Sequence, residues 1–289
     1  MSEPRPLGSG SNPTPKTGAP APAARPKITA PMVVAMKRRG EPISVLTAYD
    51  YPTARLADEA GIEILLVGDS VGTVVLGYET TLPVTVEDIL HHTRAVSRAR
   101  PSALLVADLP FMSYQVSVEQ AVLNAGRLIK EGGADAVKLE GGERVVPAVA
   151  RMIEIGIPVM GHLGLTPQSV LAFGGYKVQA RGEADQERLV HDARLLEQAG
   201  CFALVLEGIP ARLGALVTRE LQIPTIGIGA GVGCDGQVLV THDLLGLYLG
   251  RAPKFVRRYA DLAGAMREAF TRYVADVKAR RFPDENESY

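Results

Sequence analysis

Apolar residues recur along the chain in short runs, and each run ends in a small or polar residue. From about residue 43 these strand-length runs alternate with segments whose apolar positions follow a helical period. Strands that alternate with helices form parallel sheets, because each helix returns the chain to the start of the next strand. The pattern predicts eight strands, at about 43–48, 63–68, 103–108, 135–140, 157–162, 202–207, 223–228 and 237–241.

Two further helices flank this repeat. One, at about 30–39, precedes the first strand and is expected to close the bottom of the fold. The other is amphipathic and follows the last strand. Its apolar face is predicted to consist of Leu262, Met266, Phe270, Tyr273 and Val277.

The repeat favours a closed (β/α)₈ TIM barrel over an open doubly wound sheet. No Gly-x-Gly-x-x-Gly motif follows the first strand, as a dinucleotide-binding sheet would require. Polar residues end strands two through six without interruption, and a closed barrel lets all of them converge. We therefore predict one catalytic domain over residues 28–289. Residues 1–27 contain seven prolines and few large apolar side chains, which predicts a disordered tail.

Composition excludes several classes of partner. The chain has 289 residues, with 31 Lys and Arg against 32 Asp and Glu, so its net charge is −1. This balance favours neither nucleic acid nor an anionic membrane surface, and the apolar runs are too short to span a bilayer. Cys201 and Cys234 are the two cysteines and form no C-x-x-C motif. We expect a cytoplasmic protein that acts on small molecules.

The predicted strand ends carry the residues that suggest chemistry. Asp69 follows strand two, Asp108 ends strand three, and Glu140 ends strand four. Three carboxylates at adjacent strand ends would form an all-oxygen site that suits a hard cation, Mg²⁺ first. Without a cation they would repel one another, and some would take up protons.

The neighbouring strand ends add three more groups. Side chains alternate along a strand, so Lys138 shares a face with the Glu140 carboxylate. Strand five carries His162, and strand six ends in Glu207. These residues join the carboxylates in one candidate site at the mouth of the barrel.

Each of these residues also has an ordinary structural explanation. Asp69 and Asp108 could cap the helices that follow them, and Glu140 could form an ion pair with Lys138. A histidine such as His162 is more often a hydrogen-bonded interior residue than a ligand, and Glu207 could accept a backbone amide. Five successive strand ends would each need a separate explanation, which favours a common site.

Two loops are candidates for binding. Residues 226–233 are rich in glycine and follow strand seven, where barrels often bind phosphate; the alternative is a tight turn, since no Lys, Ser or Thr lies there. Residues 163–185 form a long insertion after strand five, which we interpret as a lid or an oligomer contact. Lys177 and Arg181 lie in it, and no acidic residue occurs from 155 to 182, so it is expected to attract a polyanion.

These segments together resemble the ketopantoate hydroxymethyltransferase family. The similar segments follow in the same order from residue 43 to about 285. Together they are highly specific for the family, although no single segment would be sufficient. The matching segments are Leu46-Thr-Ala-Tyr-Asp-Tyr51, Leu66-Val-Gly-Asp-Ser70, Thr81-Leu-Pro-Val-Thr85, Ala107-Asp-Leu-Pro-Phe111, Val137-Lys-Leu-Glu-Gly-Gly142, Gly161-His-Leu-Gly-Leu-Thr-Pro-Gln-Ser169, Phe173-Gly-Gly-Tyr-Lys-Val-Gln179, Ile226-Gly-Ile-Gly-Ala-Gly231 and Asp235-Gly-Gln-Val-Leu239.

The resemblance implies a (β/α)₈ barrel of the phosphoenolpyruvate/pyruvate-like superfamily and a Mg²⁺-dependent reaction. The expected reaction moves a hydroxymethyl group from 5,10-methylenetetrahydrofolate to 3-methyl-2-oxobutanoate, giving 2-dehydropantoate for pantothenate synthesis. The resemblance further implies a ring-shaped homo-oligomer, often a decamer.

The resemblance also implies roles for individual residues. Asp69 and Asp108 would be metal ligands, with Glu140 the third metal-site carboxylate, either directly or through water. The contacts to the 2-oxo acid would be Asp69, Ser70, Asp108 and Lys138. The remaining carboxylate, Glu207, would be the catalytic base. Should Glu207 not serve as the base, His162 is the next candidate among the strand-end residues.

Two other functions fit a barrel of this kind. An isocitrate-lyase-like enzyme would usually carry a catalytic cysteine in a K-x-C-G-H motif, and neither Cys201 nor Cys234 lies in one. A non-catalytic scaffold or metabolite sensor would have no need for Lys138, Glu140 and Glu207 together.

Overall fold

Eight parallel strands pair in chain order, and the eighth pairs with the first, which closes the barrel. The fold is seen in a computed structural model that describes residues 25–250 and 252–289. The predicted (β/α)₈ class is confirmed. The strands are β1 Ile43–Thr47, β2 Ile64–Val67, β3 Leu104–Asp108, β4 Ala136–Glu140, β5 Val159–Gly164, β6 Ala203–Glu207, β7 Thr225–Ile228 and β8 Gly236–Leu239.

The helices lie mainly outside the barrel. Their bounds are α1 Ala30–Arg39, α2 Tyr51–Glu59, α3 Val71–Val74, α4 Val86–Ser97, α5 Val118–Lys130, α6 Val146–Glu154, α7 Val170–Phe173, α8 Glu183–Gln198, α9 Ala211–Glu220, α10 Thr241–Leu244 and α11 Leu262–Lys278. Three short 3₁₀ turns span Glu143–Val145, Pro167–Ser169 and Glu285–Glu287.

Local sequence signals explain where several helices begin and end. Thr85 forms a complete capping box at the start of α4, where its hydroxyl accepts from the Asp88 amide and the Asp88 carboxylate accepts from Thr85. Ser117 caps α5 through the amide of Gln120. The chain leaves α5 through Gly133, whose φ is 79°, a backbone conformation that glycine adopts without strain.

The barrel interior follows from strict alternation along each strand. Apolar side chains such as Leu104, Val106, Ala203 and Val205 fill the interior from neighbouring strands. The same alternation turns the later positions of these strands inward at the C-terminal mouth. The polar residues placed there are Asp108, Lys138, Glu140, His162 and Glu207.

The N-terminal segment closes the opposite end, as predicted. Ala30 and Val33 of α1 pack into the interior cluster against Ile43. Just before this helix, Arg25 Nη2 lies 2.9 Å from Asp58 Oδ1, and Lys27 Nζ donates to the Ala103 carbonyl at 2.8 Å. Residues 25–27 of the predicted tail therefore contact the barrel, and residues 1–24 lie outside the described part of the chain.

Three features differ from the simple pattern. No helix separates β7 from β8 in the described chain, and residues 229–235 connect the two strands directly. β5 extends two residues past His162, since Gly164 still pairs with Glu207. α11 forms as predicted, but none of its residues is buried.

Within the described residues, no helix has the length and apolar character needed to cross a membrane.

Candidate active site

Asp69 and Asp108 meet at the mouth above β2 and β3. The Asp69 amide donates to Asp108 Oδ2 at 3.0 Å, and Lys138 Nζ lies 3.0 Å from Asp108 Oδ1. Neither aspartate caps a helix, because α3 begins after Ser70 and α5 begins after Ser117. The capping explanation is therefore wrong for both residues.

Glu140, His162 and Glu207 form a row across three adjacent strands. His162 Nδ1 lies 3.3 Å from Glu140 Oε1, and His162 Nε2 lies 3.3 Å from Glu207 Oε2. The register explains the row, since Glu140 pairs with His162 and Gly164 pairs with Glu207. Glu140 thus contacts His162, whereas Lys138 forms its ion pair with Asp108 and not with Glu140 as the structural alternative expected.

Exposure distinguishes Glu207 from the rest of this row. The side chains of Glu140 and His162 are each 3% exposed, whereas that of Glu207 is 15% exposed. Glu207 is therefore the carboxylate in the row that an incoming molecule can contact most readily. His162 holds it from below, inside the barrel.

The first part of the insertion covers the carboxylates. Gln168 Nε2 donates to Asp69 Oδ2 at 2.8 Å and to the Leu109 carbonyl at 3.0 Å. The Gln168 amide donates to Glu140 Oε2 at 3.0 Å, and the Tyr114 hydroxyl lies 2.7 Å from Gln168 Oε1. This supports the lid interpretation for residues near Gln168.

Ser70 is held beside Asp69 by a buried tyrosine. The hydroxyls of Tyr49 and Ser70 share a hydrogen bond of 2.7 Å, and burial raises the pKa of Tyr49. His92 Nδ1 lies 2.7 Å from the Tyr49 carbonyl. The Ser70 hydroxyl therefore has a fixed position at the edge of the carboxylate site.

The crowded carboxylates resist ionisation, as the sequence predicted. Burial, with Asp108 and Glu140 nearby, raises the pKa of Asp69 to about 8. Burial also raises the pKa of Asp108, although Lys138 partly offsets the effect. A bound divalent cation would favour the charged forms of both aspartates.

The two buried bases are held in their charged forms. Burial disfavours the Lys138 ammonium, but Asp108, Glu140 and Asp69 together outweigh burial and raise its pKa. Burial and Lys138 likewise oppose charge on His162, yet the contacts with the carboxylates of Glu140 and Glu207 raise its pKa to about 9. His162 is therefore mainly an imidazolium near neutral pH and a poor proton acceptor.

The carboxylates suit a hard cation held partly by water. Asp108 Oδ1 and Glu140 Oε1 are buried and accept no well-aligned hydrogen bond, although Lys138 Nζ and His162 Nδ1 lie 3.0 and 3.3 Å from them. Among residues 25–250 and 252–289, no group of three His, Cys, Asp or Glu side chains could hold a metal ion by itself. Mg²⁺ commonly takes one or two protein carboxylates and completes its shell with water and substrate oxygens. The oxygens of Asp69, Asp108 and Glu140 fit this donor chemistry.

The full length of the barrel matches one protein family. A family model described as ketopantoate hydroxymethyltransferase matches residues 27–285. The chain belongs to this family. The 3-methyl-2-oxobutanoate hydroxymethyltransferase of Moorella thermoacetica is 59% identical over 267 residues, which cover 92% of this chain and 99% of the relative. The protein of the same name from Syntrophus aciditrophicus is 59% identical over 263 residues, covering 91% and 97%.

Solved structures with the same fold belong to a wider group. A 2,3-dimethylmalate lyase, described as a PEP mutase/isocitrate lyase superfamily member, aligns with a TM-score of 0.60 at 19% identity, covering 91% of this chain and 90% of the other. A phosphonopyruvate hydrolase in complex with oxalate and Mg²⁺ aligns with a TM-score of 0.58 at 15% identity, covering 90% and 93%. At these identities the likeness establishes the fold alone.

Family membership makes the chain a transferase and confirms the resemblance of the motifs. It also weighs against the two alternatives raised by the sequence. Cys201 is buried, and burial raises the pKa of its thiol to about 12, while Cys234 lies in the β7–β8 connection. Neither is placed as a reactive thiol at the mouth, as an isocitrate-lyase-like mechanism would need.

The glycine-rich segment serves packing. A Cβ at Gly231 or Gly233 would press on Ala211 or Ala215 of α9, and a Cβ at Gly214 of that helix would press on the Ala230 carbonyl. Glycine here allows the β7–β8 connection to lie directly on α9. The tight-turn interpretation therefore explains the segment without a phosphate.

The structure adds two residues that sequence reasoning did not select. Gln168 lies in the segment 161–169, which supported the family resemblance, but a glutamine after a strand predicts no particular contact. Tyr114 follows β3 with no motif around it. Both reach the carboxylates only because the insertion and the β3 loop fold over the mouth.

Proposed function

We propose that this chain transfers a hydroxymethyl group from 5,10-methylenetetrahydrofolate to 3-methyl-2-oxobutanoate, giving 2-dehydropantoate, with Mg²⁺ as cofactor. The observation that supports this most directly is Glu207, a partly exposed carboxylate held by His162 beside a buried site of three carboxylates and a lysine. Proton removal next to a carbonyl needs such a base together with positive charge for the oxygen.

Asp69 and Asp108 would hold Mg²⁺, with Glu140 orienting a bound water. When bound, Mg²⁺ would supply Lewis-acid polarisation of the oxo acid's carbonyl. Ser70 donates to the substrate carboxylate from the position that Tyr49 gives it. These contacts orient the oxo acid with its branched carbon toward Glu207.

Lys138 provides the fixed positive charge of the site. Its ammonium is buried beside Asp108, and neighbouring carboxylates keep it protonated. Because this positive charge is already in place, the site does not have to reorganise when negative charge develops on the enolate oxygen. Lys138 therefore stabilises the oxyanion as the proton leaves.

Glu207 takes the proton from C3 of the oxo acid. The resulting carbon nucleophile forms the new C–C bond with the folate's methylene carbon. The bonds from that carbon to N5 and N10 of the folate break, water supplies the hydroxyl group, and tetrahydrofolate leaves with the proton from C3 and the second proton of the water. His162 keeps the Glu207 carboxylate in position through its Nε2 contact and is itself a poor base because it is already protonated.

The folate is expected to approach over the insertion. Lys177 and Arg181 are exposed there, in a stretch without acidic residues. An exposed pair of positive charges at the mouth would attract the carboxylates of the folate's glutamate tail. This binding role for Lys177 and Arg181 is part of the proposal.

The proposal includes a homo-oligomer, a decamer by family resemblance, in the cytoplasm. Support comes from α11, whose apolar face is exposed in the single chain. Contiguous exposed apolar surface of this kind marks interaction sites. Its five residues are between 37% and 61% exposed: Leu262, Met266, Phe270, Tyr273 and Val277.

One assay tests the proposed reaction. The purified protein is incubated with Mg²⁺, 3-methyl-2-oxobutanoate and methylenetetrahydrofolate, and products are identified by mass. We expect 2-dehydropantoate, and its loss when Mg²⁺ is chelated. Absence of product with all three components present would contradict the proposal.

A further inference from the structure

The three site carboxylates share one pattern of hydrogen bonding. In each, one oxygen accepts an N–H: Asp69 Oδ2 from Gln168 Nε2, Asp108 Oδ2 from the Asp69 amide, and Glu140 Oε2 from the Gln168 amide. The other oxygens of Asp108 and Glu140 are buried and face Lys138 Nζ at 3.0 Å and His162 Nδ1 at 3.3 Å, without a well-aligned hydrogen bond to either. Each of the three carboxylates is thus held through one oxygen by a protein N–H.

Two of these three donors belong to Gln168. Its side chain is itself fixed, because Nε2 also donates to the Leu109 carbonyl at 3.0 Å. Its Oε1 lies 2.7 Å from the Tyr114 hydroxyl and accepts from Gln115 Nε2 at 3.2 Å. Every polar atom of the amide is therefore used, which leaves one side-chain orientation.

We propose that Gln168 is a positioning residue that orients the Asp69 and Glu140 carboxylates for a divalent cation and couples cation binding to closure of residues 165–182. The inference rests on the proposed metal site. Groups that hydrogen-bond to metal ligands set their orientation and strongly affect affinity. Gln168 does this for two carboxylates at once, through its side chain and its backbone.

The coupling follows from where Gln168 lies. Beyond it the insertion is largely exposed: Leu171, Tyr176 and Lys177 all face solvent. A segment with few buried contacts opens readily. The hydrogen bonds from Gln168 to the carboxylates therefore contribute much of the free energy that keeps this segment closed. A cation that fixes those carboxylates must stabilise the closed segment, and closure must strengthen cation binding by the same factor.

The test replaces Gln168 by methionine, which is similar in size but can neither donate nor accept. Mn²⁺ serves as the probe, and free Mn²⁺ is measured by electron paramagnetic resonance during titration. Because outer hydrogen bonds are worth about 10–100-fold in metal affinity, we expect Gln168→Met to weaken Mn²⁺ binding by about that factor. The matched control is Gln179→Met, in the same insertion, whose side chain donates only to the Lys177 carbonyl among the described residues.

A second measurement tests the coupling without any turnover. Hydrogen–deuterium exchange of amides in residues 165–175 is compared with and without Mn²⁺. We expect Mn²⁺ to slow exchange in the wild type and in Gln179→Met, and to slow it much less in Gln168→Met, which keeps only the backbone contact with Glu140. If Gln168→Met does not fold, Gln168→Asn, which keeps the amide but shortens the side chain, is expected to behave in the same way.

The outcomes distinguish the two levels of the argument. If the wild type does not bind Mn²⁺, the proposed metal site fails and the role of Gln168 fails with it. If the wild type binds Mn²⁺ and Gln168→Met binds equally well with equal protection, the metal site stands and the positioning role is overturned.

Discussion

The Lys138 ammonium lies 3.0 Å from the Asp108 carboxylate, and the two side chains are 5% and 2% exposed. Two opposite charges removed from water at this depth are stable only together, because either one alone would be a buried, unpaired charge. The pair therefore links the fold of β3 and β4 to the chemistry at their ends.

Replacing Lys138 by methionine tests this linkage. We expect metal-free Lys138→Met to lose about 3–5 kcal/mol of unfolding free energy in urea, the usual cost of breaking a buried pair. Adding Asp108→Asn should restore part of the stability but no activity, since both groups are needed for the reaction. If Lys138→Met alone were as stable as the wild type, the stability of the fold would not depend on the ion pair between Lys138 and Asp108.

Metal binding should be visible as thermal stabilisation. A cation that binds only the folded protein should add about 2.7 kcal/mol to the unfolding free energy at 100 times its dissociation constant. We expect Mg²⁺ to raise the melting temperature of the wild type, and to have little effect on Asp69→Asn or Asp108→Asn. The same Mg²⁺ shift in either variant would remove that residue from the ligand set.

The sequence predicted the barrel closely because burial on both faces makes the strands continuous apolar runs. Asp108, Lys138 and Glu140 were correctly expected at one mouth, since alternation along a strand fixes which side each residue faces. The missing helix between β7 and β8 was not expected, although residues 229–235 leave no room for one. An amphipathic pattern predicted α11, but such a pattern does not state what covers the apolar face.

The contacts of Gln168 could not be predicted for a different reason. It lies 99 residues from Asp69 in sequence, and the two meet only after the insertion folds back over β2. No periodicity or spacing encodes that approach. Pairing of His162 with both Glu140 and Glu207 likewise depends on strand register, which a single sequence does not supply.

Gly164 is expected to control the position of Glu207. It has φ 93°, and a Cβ there would clash with the Glu207 carbonyl oxygen and with Ile209. Gly156 has φ 89° but open space around it, so Gly156→Ala isolates the backbone strain, about 1–3 kcal/mol. We expect Gly164→Ala to lower kcat well beyond Gly156→Ala while Mg²⁺ affinity is retained. Equal kcat in the two variants would show that this packing does not position the base.

The basic residues of the insertion are expected to act on the folate. Lys177→Glu with Arg181→Glu should raise the folate KM, most strongly for polyglutamylated donors, because charge reversal repels the glutamate tail. The control reverses Arg98 and Lys130, which are exposed at the C-terminal ends of α4 and α5, away from the mouth. Equal effects on mono- and polyglutamylated donors would indicate a lid or interface role instead.

The central claim is that Glu207 removes the C3 proton of the oxo acid, and hydrogen exchange measures this step without any folate. The protein is incubated with 3-methyl-2-oxobutanoate and Mg²⁺ in deuterated water, and loss of the C3 hydrogen is followed by NMR. We predict exchange with the wild type, and a rate lower by roughly 10²–10⁴-fold with Glu207→Gln at saturating oxo acid, with oxo-acid affinity retained. Normal exchange at saturation in Glu207→Gln, with affinity lost instead, would contradict the account and return His162 as the candidate base.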